Sequence, residues 1–205
     1  MASFPLQISY KLTLDSPPRL WYYLYMKYLS KTELGQMLQQ AQASGPMDHL
    51  MILIAFNHGL RVSEVLDLTA ANFVDGYLIV QRLKGSCKTA QKLLPNEAAL
   101  LADYKIPECG RLFPIHRQTA WRHVKQLGIA AGIPSFKCFP HALKHTTAKT
   151  GLAGGMTLPE LQAYLGHKSG SSTMVYLRED DDAASKAFAT AAAWDAVALK
   201  EMAGL

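Results

Sequence analysis

Three short motifs and one tyrosine supply the residue types that chemistry at an anion needs. The first is Gly59-Leu60-Arg61-Val62-Ser63-Glu64, with an arginine just after a glycine that ends an apolar stretch. An unpaired buried guanidinium is very costly, so Arg61 is expected at a cleft or in a pair. Glu64, one helical turn on, can hold its orientation. A purely structural Arg–Glu pair gives the same motif. The second is His141-Ala142-Leu143-Lys144-His145, which puts His141, Lys144 and His145 on one helical face. Such donors beside a basic cleft suit binding and proton transfer at a phosphate. Two rival readings of this stretch stay open. Cys138, His141 and His145 could ligate zinc, but a clear fourth ligand and the Glu of a metalloprotease helix are absent. The other rival is a pair of ordinary helix histidines. The third motif, Leu165-Gly166-His167, places an imidazole in a loop at a helix terminus, free to bond an anion. Tyr176 follows; a phenol has a reference pKa near ~10 and becomes a nucleophile only where a base or cations favour phenolate. A packing role is its alternative.

These residues need positioning, and local signals predict the elements that do it. Ser30-Lys31-Thr32-Glu33 is a capping box that starts a helix running to about Ala43. Residues 47–58 form an apolar, buried helix ended by Gly59. Arg61 to Leu68 is a short third helix with Leu60, Val62, Val65, Leu66 and Leu68 as its core stripe. Tyr77 to Leu83 alternates as a strand after the Asp75-Gly76 turn, and Lys92-Leu93-Leu94 returns beyond a turn at Lys84-Gly85-Ser86. Helices follow from Asn96 to before Pro107, from about Gln118 to Ala131, and from Pro140 to about Leu152. Thr157-Leu158-Pro159-Glu160 is a second capping box, leading a helix to about Leu165. A short helix carries Thr173 to Tyr176, and an Ala-rich helix closes the chain from about Ala183 to Met202. The expected fold class is mostly α with one small antiparallel β-sheet (α+β).

Composition narrows the function classes. The chain has 205 residues, 49% of them hydrophobic, enough to bury a core and to exclude intrinsic disorder. No apolar run approaches the ~18 residues of a membrane span, and the N-terminus lacks the pattern of a secretory signal. Cys87, Cys109 and Cys138 are scattered and form no disulfide framework, which fits a reducing cytoplasm. The formal net charge of +5 is a cancellation: −1 over residues 1–81, +9 over 82–149 and −3 over 150–205. A basic middle segment between acidic ones fits nucleic acid, because Lys and Arg release counterions from phosphates. A solvated basic face is the alternative.

Taken together and in order, the motifs resemble the tyrosine recombinases, or phage integrases. That family has Gly-Leu-Arg-x-Ser-Glu, a hairpin Lys, His-x-Leu-Arg-His, Leu-Gly-His and Tyr. This sequence has GLRVSE at 59–64, Lys84, HALKH at 141–145, LGH at 165–167 and Tyr176. Ordered recurrence of several motifs is far more specific than any one of them. The resemblance spans roughly residues 30–180, the catalytic domain. It leaves 1–29 as an N-terminal extension or arm and 181–205 as a C-terminal helix that docks on a neighbouring protomer or folds back.

The resemblance implies a tyrosine recombinase catalytic-domain fold and a DNA breaking-rejoining enzyme acting as integrase, invertase or resolvase. Tyr176 would attack a phosphodiester, forming a 3′-phosphotyrosine and freeing a 5′-hydroxyl. Arg61 would bind the non-bridging oxygens, with Lys144 at the family's second Arg position. Lys84 would protonate the leaving oxygen, with Lys88 and Lys92 as alternative hairpin lysines. His141 would act in proton transfer, and His167 would hydrogen-bond the phosphate. No cofactor and no metal are implied. The implied partner is double-stranded DNA, bound by a homotetramer with accessory DNA-bending proteins and no membrane.

Three departures from the family stand out. Lys144 keeps the charge of an Arg but loses its bidentate fork, a loss of about 1–3 kcal/mol or about ten- to a hundredfold in rate. That substitution motivates the alternative of a DNA-binding accessory or regulatory protein with weak or no strand transfer; relaxation of supercoils, as in type IB topoisomerases, is a third reading. His58 stands where a small hydroxyl residue is usual. Where the family usually has a core-binding domain, only residues 1–29 precede the catalytic domain in this sequence, an expectation that resembles the compact fimbrial invertases.

Overall fold

A computed structural model describes residues 28–82 and 86–174 of the chain. Residues 1–27 of the N-terminal arm and the Ala-rich tail therefore lie outside the described residues, as do Lys84 and Tyr176.

Helix α1, Lys31–Ser44, begins at a reciprocal cap: the Glu33 amide donates to Ser30 Oγ (3.1 Å) and the Ser30 amide to Glu33 Oε2 (2.7 Å). Leu34, Met37 and Ala41 recur at helical spacing and form its buried face. Helix α2, Pro46–Asn57, is buried from Leu50 to Ala55 and packs against most of its neighbours, as an apolar helix must. Helix α3 is Val62–Leu66. The expected helix from Arg61 to Leu68 is trimmed at both ends. Arg61 takes extended backbone at the N-cap (φ −74°, ψ 152°), and Asp67 caps the other end.

The sheet has three antiparallel strands in the order β1 Phe73–Val74, β2 Tyr77–Gln81, β3 Lys88–Lys92. Asp75 and Gly76 both have positive φ (50° and 77°), as a tight two-residue hairpin between twisted strands requires. The return strand begins earlier than its apolar residues indicate. Tyr77 pairs with Lys92 and Gln81 with Lys88, while Leu93 and Leu94 lead into the next helix. The inward positions of β3 are Thr89 and Gln91, buried and polar, so hydrophobic alternation does not reveal the strand.

Helices α4 Pro95–Tyr104, α5 Arg117–Ala130, α6 Pro140–Ala153, α7 Leu158–Leu165 and α8 Ser171–Met174 complete the described fold. The second capping box holds: Thr157 accepts from the Glu160 amide and donates, by its own amide, to Glu160 Oε2 at 2.7 Å. The fold is mostly α with one small antiparallel sheet, as expected. Among the described residues two apolar clusters form: a large one across α1 to α5 and β2, and a small one of Ala148, Leu161 and Leu165 beneath α7. No described helix is long and apolar enough to cross a membrane.

Candidate active site

The site forms where the C-termini of α2 and α7 meet. Both ends turn on a glycine in the left-handed region, Gly59 (φ 56°) and Gly166 (φ 66°). Space as well as backbone demands glycine here. A Cβ on Gly59 would lie 2.6 Å from Leu165 Cδ2, and one on Gly166 2.7 Å from Arg82 Cγ and 3.1 Å from Cys87 O. The two turns are followed at once by Arg61 and His167.

Helix C-termini present unpaired carbonyls and partial negative charge. Two buried cations meet them here. Arg82 Nη1 donates to Gly59 O (3.2 Å), and Nη2 to His58 O (2.9 Å) and Tyr164 O (3.2 Å). Its Nε donates to Thr89 Oγ1 at 3.0 Å. Lys144 Nζ donates to Gly59 O (3.0 Å) and Leu165 O (3.4 Å). Lys144 is thus buried behind the cleft rather than aligned with His141 and His145 at its surface; His141 is exposed, and its ring meets His145 edge-on at 5.0 Å.

Glu64 links this buried layer to the surface. Its Oε1 accepts from Arg61 Nη1 (2.8 Å), and its Oε2 accepts from the Arg61 amide (2.8 Å) and Arg82 Nη1 (3.3 Å). Glu64 is buried while the Arg61 side chain keeps 28% of its surface. Arg61 opens onto a cleft of about 390 Å³ lined also by Arg117, Trp121, Phe139, Pro140 and His141. The arginine is both paired and at a cleft.

The electrostatics follow from this crowding. Burial, then Arg82 and Arg61, push the Lys144 ammonium down to about 7, with Glu64 opposing. Burial, then Lys144, Arg61 and Arg82, push His167 down to about 4, so its imidazole is neutral at pH 7. His167 Nδ1 lies 3.0 Å from Thr173 Oγ1, tying the loop to α8.

Behind Arg82 sits a polar layer that explains His58. Gln91 Nε2 donates to Tyr164 O (2.8 Å), which turns Gln91 Oε1 toward His58 Nδ1 at 2.9 Å. The Nδ1 atom must therefore carry the proton. His58 Nε2 faces Glu97 Oε1 at 3.0 Å, with both side chains fully buried and off the line of a good hydrogen bond. Cys138 is turned to the carbonyls of Ile133 (3.5 Å) and Pro134 (3.4 Å).

The structure brings Arg61, Lys144 and His167 into one cluster and places His141 at the mouth of the Arg61 cleft. Sequence reasoning missed Arg82, Gln91 and Glu97 behind the site, and Arg117 and Trp121 in the cleft. One signal was available for Arg82: Leu78 and Val80 are the buried positions of β2, and the next position in that alternation is 82.

Residues 27–183 match the family model described as the phage integrase family. The chain is 31% identical over 169 residues to the tyrosine recombinase XerA of Pyrococcus furiosus, covering 74% of this chain and 57% of XerA. It is 29% identical over 168 residues to the type 1 fimbriae regulatory protein FimE of Escherichia coli K12, covering 73% of this chain and 84% of FimE. The crystal structure of XerA recombinase superposes with a TM-score of 0.68 at 25% identity, over 80% of this chain and 64% of that one. A lambda integrase dimer bound to a core site shares the fold, with a TM-score of 0.63 at 22% identity over 76% of this chain and 60% of that one.

Proposed function

The chain belongs to the phage integrase family, and from that premise we propose that it is a site-specific DNA recombinase working through a 3′-phosphotyrosine. Tyr176 Oη attacks the phosphorus of a DNA phosphodiester and the P–O5′ bond breaks. The leaving O5′ takes a proton from Lys84, and His141 accepts the phenol proton. Arg61 and the neutral His167 bind the non-bridging oxygens, whose charge grows in the transition state and is stabilised by fixed donors. The bond energy is kept in the phosphotyrosine, so rejoining runs the same steps backwards.

One observation carries this reading: Arg61 is held by a buried carboxylate yet opens, beside His141, onto a cleft wide enough for a phosphodiester. A guanidinium fixed before its ligand arrives needs no reorganisation in the reaction. The basic segment extends this surface along α5. There Arg117, Arg122 and Lys125 surround Trp121, which is 43% exposed, and Lys125 Nζ lies 4.9 Å from the indole centroid. This face suits a DNA backbone, and the active form is a homotetramer on duplex DNA.

The test is a duplex nicked beside the cleavage point, taken from repeats or attachment sites flanking the coding region. The wild-type chain should trap a covalent adduct that Tyr176→Phe abolishes. No adduct on any such duplex would refute the proposal.

A further inference from the structure

We infer that Arg82 is a positioning residue for strand cleavage: with Lys144 it forms a two-cation clamp that locks the turn bearing Arg61 to the turn bearing His167. The inference rests on the recombinase reading for its catalytic meaning, and on the hydrogen-bond geometry for the clamp itself.

The two cations share an acceptor. Gly59 O receives Lys144 Nζ at 3.0 Å and Arg82 Nη1 at 3.2 Å. Each then reaches across to the other helix end, Arg82 to Tyr164 O and Lys144 to Leu165 O. Neither could do the work of both. A lysine is a point charge on a flexible stem, whereas an arginine presents a rigid planar fork with several donors. From position 82 that fork engages His58 O, Gly59 O, Tyr164 O, Thr89 Oγ1 and Glu64 Oε2 together. The planar geometry that lysine removes from position 144 is supplied from the opposite side, by the sheet.

The contact with Glu64 makes the clamp more than a structural tie. Arg82 holds one carboxylate oxygen, and the other holds the Arg61 guanidinium. Moving or shortening the side chain at 82 takes away one of the donors on Glu64 Oε2 and leaves the Arg61 amide on it, so the carboxylate that holds the Arg61 guanidinium is held less tightly. On the other flank, the Arg82 Cγ fills the space against Gly166, immediately before His167. The depressed ammonium of Lys144 agrees, because Arg82 is the leading charged contributor after burial.

The test uses the full chain and three variants: Arg82→Lys, Arg82→Met, and the exchange Arg82→Lys with Lys144→Arg. Two measurements are made on each. One is single-turnover cleavage of the nicked flanking duplex, with its Kd measured separately. The other needs no DNA: the Arg61 Nε–H signal by NMR, which is sharp when the guanidinium is held. In Arg82→Lys the cleavage rate constant should fall about tenfold or more while Kd moves by less than about twofold. The Arg61 signal should broaden in a protein that still melts cooperatively. The exchange variant should regain most of the lost rate and sharpen that signal. A merely structural Arg82 would lower the folded fraction and leave the Arg61 signal of the folded molecules unchanged.

Arg82→Lys that is folded, with wild-type cleavage and an unchanged Arg61 signal, overturns the clamp. So does an exchange variant no better than Arg82→Lys. If Arg82→Met does not fold, the two lysine-bearing variants decide. If no variant, nor the wild type, forms an adduct, the recombinase reading fails, and the Arg61 signal alone still supports or overturns the clamp.

Discussion

Replace Lys144 by Met and compare urea midpoints of the two proteins between pH 6 and pH 9. Methionine matches the length of the buried stem but carries no titrating group. In the unfolded chain the Lys144 ammonium has the ordinary value of 10.5; in the folded chain it is pushed down to about 7. Between those values the unfolded state holds a proton that the folded state lacks, so stability rises with pH. The penalty is complete below pH 7 and is relieved towards pH 10.5. The limiting slope is about 1.4 kcal/mol per pH unit, and integrating from pH 7 to pH 9 gives about 2 kcal/mol. With a urea m-value of about 2 kcal/mol/M, the wild-type midpoint should climb about 1 M relative to that of Lys144→Met. The variant also leaves Gly59 O and Leu165 O without a donor from Lys144, a constant loss of about 1–3 kcal/mol. That loss displaces the two lines without changing their slopes, and other titrating groups cancel in the difference. Parallel lines from pH 7 to pH 9 would refute the reasoning.

Four further outcomes follow from the same geometry. Gly166→Ala forces a Cβ to 2.7 Å from Arg82 Cγ at a φ of 66°, and should cost about 2–3 kcal/mol, lowering Tm by about 5–10 °C; a melt within about 2 °C of wild type would contradict the close approach. Arg61→Lys keeps the charge but gives up the planar fork that meets Glu64, and should lower single-turnover cleavage about ten- to a hundredfold with little change in Kd; equal rates would remove Arg61 from the transition state. Changing Arg117, Arg122 and Lys125 together to Gln should weaken duplex binding and reduce the slope of log K against log salt by about one per lost phosphate contact. An unchanged slope would place the DNA on another face. On the acid side, His167 is neutral in the fold down to about 4, so stability should fall as pH drops from 6.5 through that value, and His167→Gln should flatten the loss.

What the sequence makes legible is local. Ser30 with Glu33 and Thr157 with Glu160 announce their helices because each cap closes within one turn. Arg61 and Glu64 are readable for the same reason. The β3 strand is misread because Thr89 and Gln91 face inward to serve Arg82 rather than an apolar core. Strand alternation could place Arg82 inward, but its role is not readable locally: its acceptors lie as far as 82 positions along the chain, at Tyr164. His58 is unexplained until Gln91 and Glu97 close around it. Lys144 reads as a surface donor by helical spacing, and only the meeting of two helix ends shows why it turns inward.

The small cluster beneath α7 bears on how firmly the His167 half of the site is held. Ala148, Leu161 and Leu165 are its buried members, separate from the main core among the described residues. So little apolar surface cannot anchor a helix to the same depth as α2, and much of the remaining attachment is polar: the Arg82 and Lys144 bonds, Gln91 Nε2 on Tyr164 O (2.8 Å), Tyr164 Oη on Asn57 O (2.6 Å), and the Cys87 amide on Gly166 O (3.1 Å). Regions built this way open sub-globally, well before the whole molecule unfolds. Amide hydrogens of Leu165 and Cys87 should thus exchange as one group, ahead of those of Ile52 and Ile54 in α2. If they do, the fraction of molecules with the His167 half of the site closed should scale the apparent affinity for DNA.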